Sequence, residues 1–98
     1  IDSNEVMQLL QLYIQMNMKR QADGLATHMI NSGNLQPQML LQLAQGMAQA
    51  QRYKVVELAL KKYTEVEPKD PNGWINLAAL QVAMNKRGEM LVSLQKAL

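Results

Sequence analysis

Apolar residues fall three or four apart along most of this chain, and short polar runs interrupt them, a pattern that predicts amphipathic helices joined by turns. Val6, Leu9, Leu10, Tyr13 and Met16 form the first stripe, and Asp2 with Glu5 three residues later reads as a capping box that opens a helix to about Met16. Asn17 and Met18 make a tight turn. A second helix is predicted from Lys19 to Ile30, broken by Asn31-Ser32-Gly33-Asn34, where Gly33 suits a left-handed cap. Pro37 opens a third helix to about Ala50, since its missing N–H has no helical partner in a first turn. The fourth runs from Tyr53 to Val66 and stops at Glu67-Pro68, because proline disfavours helical geometry in the residue before it. Asp70-Pro71 joins an N-cap carboxylate to a first-turn proline and opens a fifth helix to about Asn85; a sixth spans Arg87 to the end.

The stripes repeat every 34 residues. Val6, Leu9, Leu10, Tyr13, Ala22, Ala26 and Met29 map onto Leu40, Leu43, Ala44, Met47, Val56, Leu60 and Tyr63. They map again onto Trp74, Leu77, Ala78, Gln81, Met90, Leu94 and Ala97. A unit of this size cannot bury its own apolar face and must stack on copies of itself, so the period predicts an all-α solenoid.

Composition narrows the function. Aromatics are only 4% with no Phe, which leaves Leu, Met, Ala and Val to fill a core of good helix formers. A formal charge of +2 is too small to argue for nucleic acid or an anionic membrane, so no nucleic-acid partner is expected, and no apolar run reaches the length of a membrane span. No cysteine means no disulfide framework or thiolate chemistry, and it leaves the compartment open. The chain starts at Ile1 and stops at Leu98 without a polar finish, so we expect a segment of a longer protein.

Together these residues resemble a tetratricopeptide repeat (TPR) array. The third unit carries the closest first-helix match, with Trp74, Leu77 and Ala78; the second carries Tyr53, Leu60, Tyr63 and Pro68. The first keeps Tyr13, Ala22 and Ala26 but has Val6 at the Trp place, Leu10 at the small place and Asn34 at the proline place. Gln81 stands at the aromatic place of the third unit, and Val56 and Met90 at small-residue places. The resemblance implies a right-handed α-solenoid of three helix–turn–helix units, approximately residues 3–36, 37–70 and 71–98, forming a single domain. A six-helix bundle with an accidental period is the rival, and turn chemistry kept in phase argues against it. A pentatricopeptide RNA reader would need a longer unit and electropositive support.

The same resemblance implies that the first helix of each unit lines a concave wall. That wall would hold Asn4, Met7, Gln11, Ile14 and Gln15, then Gln38, Leu41, Gln45, Ala48 and Gln49, then Asn72, Ile75, Ala79, Val82 and Ala83, none charged. Some relatives in that family clamp a chaperone's C-terminal carboxylate with cations, but the matching places here hold Met7, Gln11, Gln42, Asn72 and Asn76. The expected site is therefore neutral: glutamine amides for a peptide backbone, with Met7, Ile14, Leu41, Ile75 and Val82 as apolar anchors. Lys19, Arg20, Arg52, Lys54, Lys61, Lys62, Lys86 and Arg87 crowd the second helices and turns; we read them as a solvated face offset by Glu57, Glu65, Glu67 and Glu89.

Chemistry has little to work with. His28 stands alone, Ser3, Ser32 and Ser93 have no base in reach, and Gly24, Gly33, Gly46, Gly73 and Gly88 form no phosphate loop. Gly46 and Gly73 are expected to permit close helix approach, and Tyr53 and Tyr63 to pack. We expect no catalytic, metal or cofactor site, and a non-enzymatic scaffold that binds a protein or peptide. The alternative is self-association through the sixth helix, where Met90, Leu91, Leu94, Ala97 and Leu98 lack a polar cap, or a docking appendage of a larger enzyme or membrane protein.

Overall fold

The computed structural model describes residues 3–33 and 35–98, so the capping role of Asp2, the side chain of Ser3 and the unit-closing Asn34 lie outside the described residues. Among the described residues the chain is all-helical, with no strand: α1 (Ser3–Gln15), α2 (Lys19–Asn31), α3 (Pro37–Gln49), α4 (Tyr53–Val66), α5 (Pro71–Ala83) and α6 (Arg87–Ala97). The starts of α1, α3 and α5 are 34 residues apart, and so are those of α2, α4 and α6.

Three turns inside the helix pairs are built alike. Asn17, Gln51 and Asn85 sit in the left-handed region, with φ of 60°, 60° and 62°. Each donates its N–H to a carbonyl three residues back, on Ile14, Ala48 and Val82. The next residue donates five back, so Met18, Arg52 and Lys86 reach Tyr13, Met47 and Gln81. This double closure satisfies carbonyls that a helix end leaves without partners. It also ends α5 at Ala83, short of Asn85, because Asn85 supplies the left-handed step. Gly33 does take a positive φ, 73°, after α2. Asp70 caps α5 as expected, its carboxylate accepting the Asn72 N–H at 3.0 Å ahead of Pro71.

Packing follows the stripes. α1 packs on α2, α3 on α4 and α5 on α6; between these pairs, α4 contacts both α2 and α5. The body measures 37 × 25 × 16 Å, and its thin dimension leaves room for only two helix layers. Leu10, Ala22, Ala26, Leu40, Leu43, Met47, Val56, Leu60, Tyr63 and Leu77 share one buried core. Of the repeated stripe positions, only Leu9 and Leu94 are exposed, one on α1 and the other on α6. Gln81, out of pattern in an apolar stripe, is buried because Ser93 donates a hydrogen bond to its Oε1 at 2.8 Å. A buried amide with a partner avoids the cost of an orphaned polar group.

The two glycines expected at close contacts part ways. A Cβ on Gly73 would lie 2.6 Å from the Tyr63 ring, so this glycine lets α5 settle against α4. The equivalent position on α3 is Met39, and α3 makes no comparable close approach to α2. A Cβ on Gly46 would meet nothing within 4 Å, which corrects the expectation that it serves helix approach.

In urea unfolding followed by circular dichroism, Gly73→Ala is expected to lose about 1–3 kcal/mol through overpacking. Gly46→Ala is expected to gain up to about 1 kcal/mol from helix propensity alone. Replacing the left-handed Gln51 with glycine should raise the midpoint by roughly 1 kcal/mol in stability, since a side chain is strained there.

Candidate functional site

An apolar groove of about 360 Å³ opens where α3, α4 and α5 meet. α3 contributes Leu41, Ala44, Gln45 and Ala48; α4 contributes Tyr53, Val56 and Leu60; α5 contributes Asn76, Ala79, Leu80 and Ala83. Helical spacing explains the membership: Leu41, Gln45 and Ala48 follow one face of α3, and Asn76, Ala79 and Ala83 one face of α5. The space exists because four of the facing residues are alanines, too short to meet across it. Amides of Gln45 and Asn76 are the polar groups at its mouth besides the Tyr53 hydroxyl.

Tyr53 was expected to pack, and it does so only in part: it is 37% exposed and lines the groove. Tyr63 does pack and is buried. The expected wall residues divide in the same way. Leu41, Gln45, Ala48, Ala79 and Ala83 come together in the groove; Gln38 lies with Leu41, Pro37, Tyr63 and Glu67 in a neighbouring recess. Gln49, Asn72, Ile75 and Val82 are exposed but do not line the groove. On α1, Met7 and Ile14 are half-buried against the core, while Gln11 and Gln15 are exposed away from the groove. Sequence reasoning gave no role in binding to Tyr53. Its signal was available: an aromatic opening a second helix, across from positions that are all small.

No family model matches this sequence, and no curated protein matches it significantly.

Two ion pairs lie outside the groove's lining. Arg52 forks onto Asp23, with Nε 2.9 and 3.1 Å from the carboxylate oxygens. Lys86 reaches both oxygens of Glu57, at 3.0 and 3.1 Å. The hydrogen bonds from these cations to Asp23 and Glu57 hold both pKa values above their ordinary range. Two of the cations read as a solvated face are thus tied to specific acids, a pairing that sequence alone left unassigned. Both pairs span 29 residues, and one is the other shifted by 34. Lys62 is half-buried and lies 3.8 Å from Glu65 one turn along α4. His28 and the remaining cations Lys19, Arg20, Lys54, Lys61 and Arg87 are exposed, and among the described residues no cluster of ligating side chains could hold a metal.

The recess beside the groove holds one strongly perturbed group. The Tyr63 hydroxyl donates to Asp70, and this bond, with burial and the charges of Asp70 and Glu67, pushes its pKa up from 10.0 to about 12. The folded state therefore keeps a proton that the unfolded chain releases near pH 10. The contribution is complete below pH 10 and disappears as pH rises toward 12. Denaturant midpoints should fall over that window in the native chain. Tyr63→Phe should lower the neutral-pH stability by about 1 kcal/mol and remove this part of the alkaline loss.

Proposed function

We propose that this chain is a TPR-type, right-handed α-solenoid segment that acts as a non-enzymatic scaffold, holding a peptide or helix of a partner protein. The reading of the architecture is supported by three features in one 34-residue register: the helix starts, the left-handed turn residues and the ion pairs that link one unit to the next. The binding reading rests on one observation, the groove between α3, α4 and α5. Its surface is apolar with amides at the rim and no carboxylate or ammonium among its lining residues. Such a surface favours uncharged apolar side chains, with Gln45 and Asn76 free to bond a backbone. Tyr53 offers the rigid, large contact area typical of an energetic anchor in interfaces.

Selection of peptides from a displayed random library against the chain tests this. Enriched sequences are expected to be apolar and uncharged. Ala79→Glu and Ala48→Trp, one charging and one filling the groove, should weaken the selected peptides by about tenfold or more, corresponding to about 1.4 kcal/mol. Gln11→Ala, outside the groove, should leave them unchanged, and helicity should be unchanged in all three. Enrichment of anionic peptides, or binding indifferent to both groove variants, would sink the proposal.

A further inference from the structure

The ion pairs mark the junctions between units, and their 34-residue register reaches one further position in each direction along the chain. Asp23 pairs with Arg52 and Glu57 with Lys86. Stepping 34 residues from Glu57 gives Leu91, and stepping 34 back from Arg52 gives Met18. Where the next acid should stand there is an exposed leucine, and where the preceding cation should stand there is a methionine. Met18 has the backbone of Arg52, with φ and ψ of −91° and 69° against −91° and 67°. The two ends have therefore changed polarity together, acid to apolar at one and base to apolar at the other.

The flanking positions follow the same rule. At the junction between α4 and α5, Leu77, Leu80 and Met84 of α5 and its following turn lie on the face that presents Gly73 to α4, and Leu77 and Leu80 are buried. The same places on α3 and its turn hold Leu43, Gly46 and Ala50. Their counterparts on α1 and its turn are Leu9, Leu12 and Met16, exposed at 38%, 52% and 67%. On α4 the junction uses Glu57, Leu60 and Thr64. The counterparts at α6 are Leu91, Leu94 and Leu98, and Leu91 and Leu94 are 57% and 39% exposed. Each of these faces is thus one half of the junction that α4 and α5 make internally. Met90, also expected at this surface, is half-buried, because it occupies the core place of Val56.

We propose that a second copy of this chain covers these faces head to tail. α6 of one copy then meets α1 of the next as a second helix meets the following unit, with Leu91 against Met18 where the internal junctions have ion pairs. The observation that carries this is the continuity of the internal junction, together with the matched loss of charge at both ends. Such a contact uses different surfaces on the two copies and does not close at a dimer. It is independent of the groove, so groove variants should leave it intact.

Sedimentation velocity of the 98-residue chain over a concentration series is the test. The average mass should rise with concentration and pass that of a dimer. Leu91→Glu alone and Met18→Arg alone should each hold the chain monomeric with unchanged helicity. Combining the two should restore association, because the internal pair is rebuilt between copies, and that association should weaken with salt. A wild-type chain that stays monomeric throughout would overturn the proposal, leaving these faces to another occupant. So would association that stops at a dimer, that survives Met18→Arg, or that the double variant does not recover.

Discussion

Burial of α4 is the interaction on which the rest of this structure depends. It contacts α2, α3 and α5, and Val55, Val56, Ala59, Leu60, Tyr63 and Thr64 are all buried. Those residues span about half the circumference of the helix, a broader buried face than the stripe of a surface helix, while Lys54, Lys61 and Glu65 stay exposed on the other side. Nearly every other feature is reached through it. Glu57 ties it to the turn before α6, Tyr63 ties it to the cap of α5, and Tyr53, Val56 and Leu60 form one wall of the groove. The hydrophobic term makes α4 central, and the polar groups at its margins fix how its neighbours are set against it.

The Tyr63, Asp70 and Gly73 cluster shows how that setting works. Asp70 accepts both the Asn72 N–H and the Tyr63 hydroxyl, so one carboxylate caps α5 and anchors a core aromatic. The ring lies flush against α5 only because Gly73 has no side chain. Trp74, one residue on, donates its indole N–H to the Pro68 carbonyl at 2.9 Å, with the Lys96 ammonium 5.2 Å from its ring centre. Chain direction, helix start and helix packing are therefore fixed at one place. The groove inherits its shape from it, because the approach of α5 to α4 sets how far apart the alanines of α3 and α5 stand.

Much of the helical layout was legible in the sequence because it is local. Proline at Pro37 and Pro71, the cap at Asp70 and the spacing of Leu40, Leu43, Ala44 and Met47 each carry their own signal, and the starts expected at Lys19, Pro37, Tyr53, Pro71 and Arg87 are the ones observed. Pairwise facts were harder to see. The Asp23–Arg52 and Glu57–Lys86 pairs are 29 residues apart in sequence and become neighbours only once the helices pack together. The same holds for Gln81, which looked like a defect until Ser93 arrived from the next helix. The groove was half legible: periodicity grouped Leu41, Gln45 and Ala48 but not the exposed ring of Tyr53 beside them. Periodicity selects a helix face, and the size of the side chains opposite decides whether that face is filled or hollow.

The change from ion pairs to apolar residues at the proposed junction between copies has a thermodynamic reason. Within one chain, neighbouring units are held at high effective concentration by their connecting turns, so a junction needs only enough specificity to fix its geometry. A partly exposed ion pair supplies that at little net gain in stability, and Arg52 and Lys86 are both only half-buried. Two separate copies must also overcome the lost translational and rotational freedom of association. That requires a larger favourable term, and removing apolar surface from water supplies it at roughly 25 cal/mol per Å². Charge is thus the better adhesive where the chain already brings the units together, and Leu91 with Met18 is the better one where it does not.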